Sequence, residues 1–323
     1  MIANFDRRRT SHSCRATQRR IRYNDGLGGA FAPTIRGQGV VVHAIHDAER
    51  HCMTTPLGYA TLGFYGASLV FYSYYLYAAK RVVGWAATLC LLGGIIVHWQ
   101  ALLERSRMLN NVPYQDWVGS LSLFAWFLAV TYLGVETYHR QRSVGPFALP
   151  LVIALMLTST VAAGLAPAVP PPSQGSAFAL HVTMNMLAYS AFTLAFVMSV
   201  IYLLQNRVLR DRKLGDTFWR FPPLESLERM SRTSVVIGIV GLSVGIVLGM
   251  VKATELWKGS WSWDPKIIAS FVVWSVYMVY LWLGNTTAWR GARASVLCVV
   301  NYLLVIFSYT VVNLFLSEHH RYF

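Results

Sequence analysis

From residue 57 onward the chain is a succession of long apolar runs separated by short polar turns. The runs fall at about 57–79, 82–103, 117–138, 147–165, 177–205, 233–251, 267–285 and 295–316. Each is long enough to cross the ~30 Å hydrocarbon of a bilayer as a helix. Several hold no charge at all, among them 233–251 and 267–283. The strict apolar/polar alternation of a membrane β-barrel is missing. The pattern therefore predicts an all-α polytopic membrane protein with about eight transmembrane helices.

Composition agrees, with 55% hydrophobic and 13% charged residues, where soluble chains carry about a quarter charged. Charge then orients the helices. One alternate set of loops holds thirteen Lys and Arg (Lys80, Arg81, Arg140, Arg142, the seven from Arg207 to Arg232, Arg290, Arg293) and the other set holds six. By the positive-inside bias the first set is cytoplasmic, which puts the start of helix 1 and the C-terminus on the outer side. Residues 1–52 run against this, with nine arginines, four acids and no apolar core for a signal peptide. They read either as an over-extended start ahead of Met53 or as a disordered basic leader. The membrane domain proper is then 53–323.

Other functions are excluded by what the chain lacks. Cys14, Cys52, Cys90 and Cys298 have no short pairing, which argues against a zinc cluster, a disulfide framework or a thiol oxidoreductase. No Cys-x-x-Cys-His is present, so the chain is not itself a c-type cytochrome, and neither a P-loop nor a dinucleotide fingerprint occurs. The net charge of +14 reflects the leader and the topology, and no nucleic-acid partner is expected.

Chemistry collects on the outer face. The segment 253–266 packs Trp257, Trp261 and Trp263 together with Asp264. An interfacial aromatic belt would spread such residues around the helix ends; three indoles in one segment suit a large, flat, conjugated ligand. His181 begins helix 5 on the same side, and His319 and His320 follow helix 8. Two neutral imidazoles can take both axial positions of a haem iron. His98, in the outer third of helix 2, is either a packing histidine or a ligand, while His139 sits in a basic turn and is expected to be solvated. Gly241, Gly245 and Gly249 form a stripe on helix 6 that allows a neighbouring helix to approach closely.

Trp257-x-x-x-Trp261-x-Trp263-Asp264 resembles the "WWD" signature of haem-handling proteins. The wider body is similar to the CcsA/ResC cytochrome c biogenesis family: His181-Val182 through Phe192, Pro222-Pro223-Leu224-Glu225, Asp264-Pro265-Lys266, Trp289-Arg290-Gly291 and the ending Val312-Asn313-Leu314 to His320. The resemblance implies that His181 and His320 ligate haem b, held as a bound substrate, over a platform of Trp257, Trp261, Trp263 and Asp264. Asp264 is equally suited to orienting the loop and the start of helix 7. It also implies a ResB/CcsB-type membrane partner, apocytochrome c as acceptor and a thioredoxin-like reductant upstream, in a bacterial cytoplasmic membrane. The chain would then be a subunit of a cytochrome c synthase. Three positions depart from the pattern: Lys258 replaces a glycine, Ile267 an acid, and Trp282 follows Tyr280-Leu281 where a membrane histidine is often found. A HemX-like protein accessory to haem synthesis, or a haem transporter without ligation activity, are the alternatives.

Overall fold

A computed structural model describes residues 56–109, 117–162, 176–211, 221–256, 265–308 and 310. The leader 1–52 lies outside them. The described residues form α1 (Pro56–Ala78), α2 (Arg81–Leu109), α3 (Trp117–His139), α4 (Gly145–Ala162), α5 (Ser176–Arg210), α6 (Leu224–Leu256), α7 (Pro265–Leu283) and α8 (Ala292–Phe307), with a short 3-10 turn at Thr287–Trp289. Among the described residues no strand occurs, in agreement with the all-α expectation. Helices α2 to α6 each contain a stretch long and apolar enough to cross a membrane, and α7 and α8 are shorter apolar helices. α1 has 23 residues, but its tyrosines dilute the apolar character.

Some helices outrun their apolar cores. α2 continues through Glu104, Arg105 and Arg107, and α6 begins at Leu224, well ahead of the uncharged run. Charges at a helix end that projects past the hydrocarbon carry no membrane penalty, so backbone bonding can continue. Pro223 immediately precedes α6, its carbonyl accepting from the Ser226 and Leu227 amides at 2.9 and 3.1 Å. Glu225 in the first turn suits the helix dipole and pairs with Arg229 at 2.8 Å. At the other end α6 runs to Leu256, so 253–256, expected to be loop, are helical.

α5 is the shared wall of two cores. Its Leu194, Met198, Ile201 and Tyr202 join the cluster of α1 to α4, to which α6 adds Leu227 and Met230. Its Ala188, Phe192 and Ala195 join the second cluster, with Val235, Leu242, Tyr277 and Cys298 of α6, α7 and α8. The Phe192 and Tyr277 rings stack at 3.9 Å between centroids.

Cross-helix bonds fix the directions. α5 and α6 run antiparallel, with Ser199 bonded to Ser231 at 3.1 Å near one end and His181 beside Gly249 near the other. α6 and α7 are antiparallel through Trp274 Nε1, which donates to Ser243 at 2.9 Å, and Arg232, which donates to Asn285. α5 and α8 are antiparallel too: Tyr202 lies by Gly291, and Thr193 bonds the Tyr302 hydroxyl at 2.8 Å. The start of α5, the end of α6, the start of α7 and the end of α8 thus share one end of the bundle.

At the opposite end a buried carboxylate ties three helices together. Glu136 of α3 is 1% exposed and accepts from the hydroxyls of Tyr72 on α1 and of Thr88 on α2, the latter at 2.6 Å. Arg142 supplies the counter-charge, its Nε 3.6 Å away, with its guanidinium 4.3 Å over the Trp85 ring. Removing the acceptor would strand the Tyr72 hydroxyl and leave a half-buried cation without its counter-charge, while Thr88 keeps the Gly84 carbonyl at 3.0 Å. Glu136→Ala should therefore cost about 2–4 kcal/mol, read as loss of thermal stability in detergent. Glu136→Gln, which keeps an acceptor for the Tyr72 hydroxyl and sets an amide donor beside Thr88, whose own hydroxyl can donate to the Gly84 carbonyl, should lose less.

Candidate functional site

His181 stands in the second turn of α5, half-buried against α6. Its Nδ1 lies 2.7 Å from the carbonyl oxygen of Gly245. A carbonyl can only accept, so Nδ1 carries the proton and the lone pair of the neutral ring resides on Nε2. Asn185, one turn along α5, brings its amide nitrogen 3.2 Å from Nε2 and 3.4 Å from Nδ1. The Phe178 ring covers another flank, 6.0 Å between centroids.

The glycines of α6 make this contact possible. A Cβ on Gly249 would come within 2.6 Å of the His181 Cε1 and 2.9 Å of Nδ1. A Cβ on Gly245 would collide with the Asn185 carboxamide, and one on Gly241 would sit 3.1 Å from the Met184 carbonyl. The stripe expected to admit a close neighbour therefore admits α5, and does so turn by turn along the segment that carries the histidine.

Of the residues expected to form the site, His181 alone is described. Trp257, Trp261, Trp263, Asp264, His319 and His320 lie outside the described residues. The helices from which they continue are described: Leu256 and Pro265, which bracket the tryptophans in sequence, belong to α6 and α7 at the His181 end, and α8 points its C-terminal end the same way.

His98 is fully buried, with Nδ1 3.1 Å from the Tyr65 hydroxyl and Nε2 3.0 Å from the Ser122 hydroxyl. Both ring nitrogens are engaged by neighbouring helices, as a packing histidine requires. Its height matches that of His181: Ser122 and His181 each precede the Thr131–Ser190 contact by the same number of residues, about 13 Å along parallel helices. The face of α5 turned toward α3 there carries Phe178, Val182 and Met186, packed on Leu102 and Leu123. His139, expected to be solvated, instead bonds Thr233 of α6 at 2.8 Å. The last turn of α3 lies against α6, which the local basic sequence could not reveal.

Sequence reasoning missed Asn185 and the Gly245 carbonyl. A carboxamide one turn after a histidine inside an apolar helix was the available signal for the first. Backbone groups give no signal for the second.

Residues 114–320 match a protein family described as Cytochrome C assembly protein. Among curated proteins, the chain is 26% identical over 289 residues to a cytochrome c biogenesis protein CcsA of Chlamydomonas reinhardtii, covering 87% of this chain and 78% of that protein. It is 26% identical to the protein of that name from Porphyra purpurea (82% and 96% covered). With that of Prochlorococcus marinus strain MIT 9312 the identity is 28% (72% and 83% covered).

Gly249→Ala would push the His181 ring off α6, at a cost of about 1–3 kcal/mol for overpacking. His181 in this variant should be acylated several-fold faster by diethyl pyrocarbonate, read by peptide mass spectrometry. An unchanged rate would mean that the ring is not held against the glycine.

Proposed function

The chain belongs to the cytochrome C assembly protein family and is an integral membrane protein of cytochrome c biogenesis, and we propose that its part is to hold haem on the outer face of a bacterial cytoplasmic membrane for covalent attachment to apocytochrome c. In this reading His181 and His320 are the axial ligands of the haem b substrate. Trp257, Trp261 and Trp263 form the indole surface beside it, with Asp264 in contact with the ligand or orienting the segment that leads into α7.

The observation that carries the reading is the His181 ring, whose Nδ1–H is committed to the Gly245 carbonyl. That bond fixes the tautomer and leaves on Nε2 the lone pair an iron takes, the arrangement that metal-ligating histidines use. The helix directions add support, because the chain enters and leaves the tryptophan segment, and departs α8 toward His320, at the end of the bundle where His181 stands. The opposite end carries Lys80, Arg81, Arg140, Arg142, Arg229, Arg232, Arg290 and Arg293, which favours that end as the cytoplasmic one.

Attachment asks little covalent chemistry of this chain. Each thiol of the acceptor Cys-x-x-Cys-His adds across one vinyl group, sulfur bonding one carbon and the thiol hydrogen going to the other, with no oxidant consumed. The acceptor histidine takes over an axial position from one of the chain's imidazoles. Holding the two reactants in register is the main contribution, as in other reactions accelerated by proximity. A ResB/CcsB-type protein is the expected membrane partner, and a thioredoxin-like reductant upstream keeps the acceptor thiols reduced. Trp282, at the place of the family's membrane histidine, is 69% exposed on α7, so the proposal concerns the outer site and not passage of haem through this chain.

The purified protein from haem-replete membranes should show a six-coordinate bis-imidazole spectrum that weakens in His181→Ala and in His320→Ala. Wild-type haem content in both variants would overturn the ligand assignment. Deleting the protein should abolish covalent c-type haem and leave b-type haem in place; loss of both would point to haem synthesis instead.

A further inference from the structure

We propose that Arg142 is the phosphate-binding group of a site for one anionic phospholipid, in the leaflet at the basic end of the bundle, with an acyl chain laid along the exposed face of α2. The site is separate from His181 and does not depend on the reading of that residue.

Arg142 follows α3 in a turn, yet it is not held as an ordinary surface cation. Its stem crosses α2 in the notch left by Gly84, where a Cβ would come within 2.9 Å of the arginine Cδ and 3.0 Å of the Tyr75 ring. Its Nε donates to the Thr88 hydroxyl at 3.1 Å, and the Glu136 carboxylate stands 3.6 Å from the same nitrogen. The guanidinium lies over the Trp85 ring, and the side chain is 18% exposed. The planar fork is therefore fixed before any ligand arrives, so binding has little side-chain freedom left to remove.

The donor count then asks for an acceptor. Thr88 takes the Nε–H, and the terminal amino groups hydrogen-bond no other described residue. Donors on a partly buried cation are costly when left unmet, and a phosphate offers paired oxygens at the spacing of the fork. The height suits a headgroup. Trp85 lies one turn after Arg81, the first residue of α2, at the level where indoles favour the membrane interface. Beyond it Leu89, Leu92 and Ile96 are exposed, and their spacing makes one stripe with Trp85. From Trp85 to Ile96 the helix rises about 16 Å, which matches one leaflet, half of the ~30 Å hydrocarbon. Glu136 offsets the charge of Arg142 itself. Lys80, Arg81 and Arg140 in the adjoining turns keep the locality positive, which favours an anionic headgroup over a zwitterionic one.

The test titrates full-length protein in detergent with phosphatidylglycerol and, separately, with phosphatidylcholine of the same acyl chains, counting bound lipid by native mass spectrometry. The wild type should take its first phosphatidylglycerol about three- to tenfold more tightly than phosphatidylcholine. Arg142→Gln combined with Glu136→Gln, which leaves no carboxylate stranded, should bring that ratio to about one. Arg142→Lys should lose most of the preference too, because Glu136 and Thr88 take up its single ammonium, and it serves where the double variant does not fold. Lys80→Ser with Arg81→Ser, which leaves the fork in place, should keep at least about half of the ratio. Equal affinity for the two lipids in the wild type, or the wild-type ratio in either Arg142 variant, overturns the site. Complete loss of the preference in the Lys80/Arg81 variant assigns it to diffuse surface charge and overturns the site as well.

Discussion

The contact between the His181 imidazole and the backbone of α6 is the constraint on which this end of the helix bundle depends. It is a hydrogen bond from a side chain to a main-chain carbonyl across two helices. It forms because three successive turns of α6 present no side chain: Gly241 meets the Met184 carbonyl, Gly245 the Asn185 amide, and Gly249 the imidazole. In lipid, where apolar burial gives helices little reason to associate, close backbone approach of this kind supplies the packing and the polar bond together. Positioning of the ring and cohesion of α5 with α6 are thus one interaction.

Much of the architecture was legible in the sequence because hydropathy reports the environment directly. A span must be apolar for its whole length, so eight runs gave eight helices. What hydropathy cannot see is a helix that continues after it has left the hydrocarbon. α6 begins with Glu225, Glu228 and Arg229 and ends in 253–256, segments whose helicity comes from backbone bonding and end charges. The glycine stripe showed that one face of α6 would be closely approached, yet periodicity names a face and never the partner that meets it. That the partner is α5, with His181 and Asn185 at the contact, is a property of the assembled bundle.

The histidines make the same point from the other side. His98 and His181 are both polar interruptions of apolar helices at one height, and nothing local separates their roles. The difference lies in what faces them. His98 meets two hydroxyls, from Tyr65 and Ser122, and is closed in by α1 and α3. His181 meets a carbonyl that can only accept and stands at the end of the bundle from which the tryptophan segment continues. For His139 the basic turn suggested water, and Thr233 of a distant helix took its place. The tryptophans and His320 stay legible through their sequence pattern alone.

The double membership of α5 has a consequence for how such proteins can diversify. One face of this helix completes the core of the first four helices, and another completes the core of the last three. α6 reaches both cores as well, through Leu227 and Met230 in the first and Val235 and Leu242 in the second, but α5 contributes the larger share to the first. Recombination between relatives at the α4–α5 boundary would leave α5 facing a wall it did not evolve with, whichever parent supplied it. Substitutions in α5 are thus answerable to both cores at once, whereas the outward-facing valines of α6 (Val236, Val240, Val244 and Val247) answer to lipid rather than to protein.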